Sequence, residues 1–187
     1  MRNSVVAGVL IFIGALAPAG LASADDVAPA ATQNQPAKKT EASGCDHFSW
    51  PIDRERAWFE DSNLTHRASG VRLSKIDRAV DLALQPTKDV KFFLAPERAP
   101  KPDSYSGDVT FRGVPRPGTY QVTVSDEAWI DVFQNGARMK STAFTGAKDC
   151  PGVRKSVRFE LAPGDLVLVQ ISNAAKDEIK VAFDLAP

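Results

Sequence analysis

The sequence predicts an all-β fold, an antiparallel β-sandwich or jelly-roll-like arrangement with a short N-terminal helix or irregular segment. Three runs carry this expectation. Gly118 to Val124 alternates strictly, with Tyr120, Val122 and Val124 on one face and Thr119, Gln121 and Thr123 on the other. Val157, Phe159 and Leu161 repeat the pattern against Arg158 and Glu160, and Ile179, Val181, Phe183 and Leu185 repeat it against Lys180 and Asp184. Period-two alternation marks strands with one face in a core and one toward water. No strands alternate with helical patterns, so a parallel α/β fold is not indicated.

Residues 1–24 read as a signal peptide. Arg2 supplies the positive start, Val5 to Leu16 is an apolar run, and Pro18 and Gly20 break any helix before the small-x-small site Ala22-Ser23-Ala24. The run is too short to span a bilayer, which takes about 20 residues, and no cysteine stands at the site to take a lipid. The mature chain is expected to begin at Asp25, in the periplasm or outside the cell, with no membrane span after cleavage. The Ala-rich leader reads as bacterial. Residues 25–44, mostly Ala, Pro, Gln, Lys and Thr, have little to bury and read as a disordered tether. Residues 45–187 then form a single β-sandwich domain, long enough for a core of its own.

Within that domain, Pro51 suits the first turn of a short helix across Asp53 to Asp61, with Ile52 and Phe59 on one side. Arg78 to Leu84 fits both periods, and Pro86 and the strands on either hand favour a strand. Further strands are expected at Val90–Leu94, Gly107–Gly113, Gly118–Val124, Ala128–Gln134, Ala137–Phe144, Arg154–Leu161, Leu166–Ser172 and Ile179–Leu185. Asn135-Gly136 is the strongest local signal, since two residues that tolerate positive φ make a type I′ hairpin turn. Ala162-Pro163-Gly164-Asp165 reads as a second hairpin turn between its flanking strands.

The two cysteines, Cys45 and Cys150, meet oxidising conditions in an exported chain and are expected to pair. The bond would pin the start of the domain to the Cys150-Pro151-Gly152 loop. A zinc site of Cys45, His47, His66 and Cys150 has suitable ligand types but competes with that bond. Losing Arg2 with the leader leaves 22 basic against 23 acidic side chains, a near-neutral balance that gives no sign of nucleic acid.

Several stretches carry a resemblance: Cys45-Asp46-His47-Phe48-Ser49-Trp50-Pro51 with Arg54-Glu55-Arg56-Ala57-Trp58, then Gly118-Thr119-Tyr120 and Trp129-Ile130-Asp131-Val132, then Cys150-Pro151-Gly152 and Lys155-Ser156-Val157-Arg158-Phe159. Together they resemble a group of small exported bacterial β-rich proteins of uncharacterised function, some of which carry a homogentisate dioxygenase label. That label implies a cupin holding iron with two histidines and a carboxylate. Here it would draw on His47, His66 and a carboxylate such as Asp46 or Glu60, although nineteen residues separate the histidines and no spacing enforces their convergence.

No hydrolase elbow, zinc-protease helix or phosphate-cradling loop occurs. The reading is therefore of no catalytic residues, no cofactor and no metal, with His47 and His66 as the metal alternative. Two features point to binding. Trp129, Asp131 and Phe133 share one face of a strand whose other face carries Ile130 and Val132, and such an aromatic–acid–aromatic row suits sugar stacking or peptide capture. It is either open or covered by Phe48, Trp50 or Trp58 held through the Cys45–Cys150 bond, and the covered arrangement is expected. The second feature is a basic run, Arg138, Lys140, Lys148, Arg154, Lys155 and Arg158, against Asp149 alone. It reads as a solvated face or as a site for an anionic envelope component. The functional expectation is an exported, non-catalytic binding or structural protein of the periplasm or cell envelope, its partner a glycan or a protein. The alternatives are the dioxygenase-type enzyme and an inhibitor of a secreted hydrolase acting through an exposed loop such as Ser141 to Lys148.

Overall fold

In a computed structural model describing residues 44–73, 78–164 and 166–187, alternating sequence becomes two packed sheets. The strands are β1 (His66–Ala68), β2 (Val71–Arg72), β3 (Ala79–Ala83), β4 (Gln85–Pro86), β5 (Tyr105–Arg112), β6 (Gly118–Val124), β7 (Trp129–Gln134), β8 (Ala137–Met139), β9 (Ser141–Gly146), β10 (Lys155–Leu161), β11 (Leu166–Ala174) and β12 (Glu178–Leu185). The first sheet runs β1-β3-β12-β6-β10-β9, and the second runs β2-β5-β11-β7-β8 with β4 also on β5. The fold is the expected all-β sandwich. It is not wholly antiparallel, because the short edge pairs β1–β3 and β2–β5 are parallel.

The dry layer between the sheets is built by the inward residues of each alternating run. Val122, Val124, Phe159 and Val181 come from the first sheet, and Val109, Ile130, Val132, Val169 and Ile171 from the second. Each such side chain contributes about 1.5–3 kcal/mol when fully buried. Asn135 and Gly136 hold φ of 53° and 77°, and the two-residue turn sets Gln134 opposite Ala137, as expected.

Four expectations are corrected. The run Ala137–Phe144 is not one strand. It breaks at Lys140, with β8 on the second sheet and β9 on the first, so the chain changes layers at a corner. Ala162 to Asp165 does not join hairpin partners, because β10 and β11 lie in different sheets. Val90–Leu94 is not a strand, since the Gln170 side chain stands in for a ladder partner: its Oε1 accepts from Phe93 N–H (3.1 Å) and its Nε2 donates to the Leu94 carbonyl (3.1 Å). Finally, Gly44 belongs to the folded part. It opens a 3-10 turn, Gly44–His47, where an added Cβ would fall 2.2 Å from Asp149 Cγ.

Cys45 and Cys150 form the expected disulfide. It ties the N-terminal segment, including α1 (Asp53–Glu60), to the outer face of the first sheet, where Ile52, Phe59, Ala147, Val153 and Ala182 make a second apolar cluster. The signal peptide, and the tether up to residue 43, lie outside the described residues. No helix among the described residues is long and apolar enough to cross a membrane.

Candidate functional site

Pleating decides where the Trp129 row points. Ile130 and Val132 enter the core, which turns Trp129, Asp131 and Phe133 to the outer face of the second sheet. Asp131 and Phe133 are buried there, but not under Phe48, Trp50 or Trp58. Those three aromatics pack with the N-terminal segment on the first sheet. The cover over β7 is instead the strap between β4 and β5. Phe93 meets Phe133 edge-on at 5.2 Å, and Glu97 N–H donates to Asp131 Oδ2 at 3.2 Å. Arg138 lies with Nε 3.2 Å from Asp131 Oδ1 and donates from Nη2 to the Ala95 carbonyl. Burial pushes the Asp131 carboxyl above its ordinary value, opposed by the Glu97 N–H, Arg138 and the nearby Trp129 indole N–H. Asp131 is thus a clamp for the strap.

Trp129 sits at the strap's margin, half-buried, beside a cleft of about 410 Å³. The cleft lies at the corner where β8 passes into β9. Ile130, Met139, Phe144, Val157 and Phe159 supply apolar wall, and Glu97, Arg98, Asp131, Ser141 and Lys155 add polar groups. Lys155 Nζ stands 5.6 Å from the Trp129 ring centre and the Arg98 guanidinium 5.8 Å, so two cations flank the indole. Trp129 Nε1 is buried, and no acceptor among the described residues, Asp131 included, meets it at hydrogen-bond geometry. Burial holds the Lys155 ammonium below its ordinary value, opposed by Glu127 and reinforced by Arg154 and Arg98. Its Nζ donates to the Ala128 carbonyl at 2.8 Å.

Phe144 is the largest exposed apolar side chain here, at 74 %. It stands opposite Val157 in register and therefore projects on the core side of the first sheet. No described residue caps it, because β8, the neighbouring edge of the second sheet, is only three residues long. Volume in this range and an apolar lining with a few polar groups are the features of ligand sites.

The structure brings Trp129, Asp131 and Lys155 to one cleft and separates the other expected residues. Phe133 is sealed beneath Phe93. Arg138 is engaged with Asp131, and its guanidinium lies 5.3 Å from the Phe133 ring. Arg154 pairs with Glu127, and Arg158 stacks 4.1 Å over Trp50. Lys140 and Lys148 are exposed at the two ends of β9. The basic run is therefore not one patch, since most of its charge is spent locally. Sequence reasoning missed Met139 and Arg98, and it reached Phe144 as a functional candidate only within Ser141 to Lys148, read as an exposed loop where the structure has β9. The available signal was the uncharged stretch Ser141 to Gly146, with a phenylalanine in it, between Lys140 and Lys148.

The histidines are drawn to different carboxylates. His47 Nδ1 lies 3.8 Å from Asp149, whereas His66 Nδ1 lies 3.1 Å from Glu178 and 3.8 Å from Asp81. The donor atoms of His66, Asp81 and Glu178 lie within 4.8 Å of one another, and neither Asp46 nor Glu60 nor His47 belongs to that group. A second cavity, of about 550 Å³, opens at one end of the sandwich over Phe111, Tyr120 and Phe183. Phe183 stacks on Tyr120 and tilts against Phe111, and Tyr120 O–H donates to the Arg116 carbonyl. Compared with known proteins, the chain matches no family model, no curated protein and no solved structure.

Proposed function

We propose that this chain is an exported, non-catalytic binding protein of the periplasm or cell envelope, and that it captures its ligand at the Trp129 cleft. The observation that carries this reading is the pairing of an indole flanked by two cations with an uncovered phenylalanine across an apolar hollow. Such a surface favours a ligand that joins an apolar group to a negative charge, whether an acidic glycan or an acidic segment of a protein. The disulfide accords with an oxidising compartment.

The indole N–H signals of the three tryptophans provide the test. Acidic oligosaccharides and acidic peptides screened by NMR should yield a binder that shifts the Trp129 signal and leaves Trp50 and Trp58 in place. Binders that shift only Trp50 or Trp58 would overturn the assignment. Intact mass of exported protein should show a chain starting at Asp25 with no free thiol. The dioxygenase-type alternative calls for two histidines and a carboxylate, whereas His66 meets two carboxylates, Asp81 and Glu178, and His47 lies apart beside Asp149. Stoichiometric iron in the purified protein that disappears in His66→Ala would nonetheless favour a metal enzyme over the binding reading.

A further inference from the structure

Five described strands edge the two sheets, and they are not alike. β1, β2 and β8 have three, two and three residues, and each carries an arginine, and β4 has two residues ending in Pro86, whereas β9 has six residues with no charge and no proline. Proteins ordinarily blunt a sheet edge with shortness, charge, proline or a cover, because its free N–H and C=O groups invite another strand. β9 pairs only with β10, and among the described residues no other backbone–backbone hydrogen bond reaches Ser141 to Gly146, although Ser49 N–H donates to the Thr145 side chain on the outer face (2.9 Å). The register shift at Arg158/Phe159 disturbs only its first half, which leaves Ala143 to Gly146 in regular register. Phe144, on that regular half, borders the cleft.

We propose that an acidic, extended segment of a partner protein adds as a further strand along β9 at Ala143–Gly146 and seats one apolar side chain between Phe144 and Trp129. This rests on the reading of the cleft as the binding site. Charge selects the occupant. Asp131 is neutralised by Arg138 and Arg154 by Glu127, which leaves Arg98 and Lys155 at the cleft and Lys140 and Lys148 beside the strand, against Glu97 and, next to Lys148, Asp149. In strand addition the main chain supplies affinity and a side-chain pocket supplies specificity, and β9 and the cleft offer both within one corner.

The test titrates the oxidised protein with three probes: N-acetyl-phenylalaninate, a capped hexapeptide alternating glutamate with valine and phenylalanine, and the same peptide with lysine for glutamate. The acidic peptide should bind at least about tenfold more tightly than the lysine peptide, a difference of about 1.4 kcal/mol. It should slow amide exchange at Ala143–Gly146 and shift Trp129, and backbone N-methylation of the peptide should abolish the protection. Phe144→Ser, an exposed change that leaves the fold intact, should weaken it by a similar factor. If N-acetyl-phenylalaninate shifts Trp129 while no peptide protects β9, strand addition is wrong and the cleft reading stands. If neither acetyl-phenylalaninate nor either peptide perturbs Trp129, both readings fail. Equal binding of the two peptides overturns the acidic partner.

Discussion

Both outer faces of the sandwich are covered, and they are covered by different means. On the first sheet, α1 and its approach lie over Gln121, Thr123 and Ser156. There the buried Glu55 accepts from Gln121 Nε2 (2.9 Å) and Arg54 Nη2 (2.6 Å), Trp50 Nε1 donates to Ser156 Oγ (3.2 Å), and a disulfide fixes the end. On the second sheet a strap with no regular structure between Asp89 and Tyr105 lies over Asp131, Phe133, Gln170 and Asn173. It is held by side-chain hydrogen bonds to its backbone, with no covalent tie. A buried polar row obliges some segment to satisfy it. A helix cannot donate and accept along its length and so meets the row with side chains, whereas an irregular strap offers its own N–H and C=O groups. The cleft lies at the margin of the strap, where the more weakly secured cover ends.

The largest expected effect breaks the secured cover. Replacing Cys45 and Cys150 by serine should cost about 2–5 kcal/mol, as loss of a disulfide closing a long loop does. Amide exchange should accelerate at Gln121, Thr123 and Ser156 and stay unchanged at Asp131 and Gln170. Equal acceleration on both sheets would show that the two covers act as one unit.

Next in size is the strap. Gln170→Ala strands the Phe93 N–H and the Leu94 carbonyl, and should cost about 1–3 kcal/mol. It should also raise protease sensitivity between Asp89 and Tyr105, with no change over α1. Limited proteolysis followed by mass mapping reads this directly.

A smaller effect separates the covers by pH. Burial raises the Asp131 carboxyl above its usual 3.8. Its contribution is fully present below that pH, where both states are protonated, and is lost as pH rises through the raised value, where the folded state must ionise a buried acid. Thermal melts between about pH 3.5 and 6 should therefore show Asp131→Asn gaining on the unaltered protein as pH rises. Asp108, also raised by burial, should act in the same direction. A constant difference across the range would remove Asp131 from the account.

The smallest expected effects are at the histidines. His47 and His66 are exposed, so His47→Ala and His66→Ala should each stay within about 0.5 kcal/mol. A larger loss in His66→Ala alone would point to the His66, Asp81 and Glu178 cluster as a structural tie at the edge of the first sheet.

Features legible in the sequence were those encoded between near neighbours. Period-two alternation gave β6, β7, β10, β11 and β12 close to their observed limits, Asn135-Gly136 gave its turn, and Pro51 with Ile52 and Phe59 gave α1. The Cys45–Cys150 bond followed from there being two cysteines in a chain whose start reads as an export signal. Alternation also determined that Trp129, Asp131 and Phe133 share a face, because pleating allows nothing else. What covers that face was decided only in three dimensions. A strand's pattern records that a side chain is sheltered, and it is silent on which distant segment shelters it. The layer changes at Lys140 and between Leu161 and Leu166 send consecutive strands to different sheets, which places the strap over β7, leaves Phe144 uncapped, and assembles the cleft from residues that local sequence keeps apart.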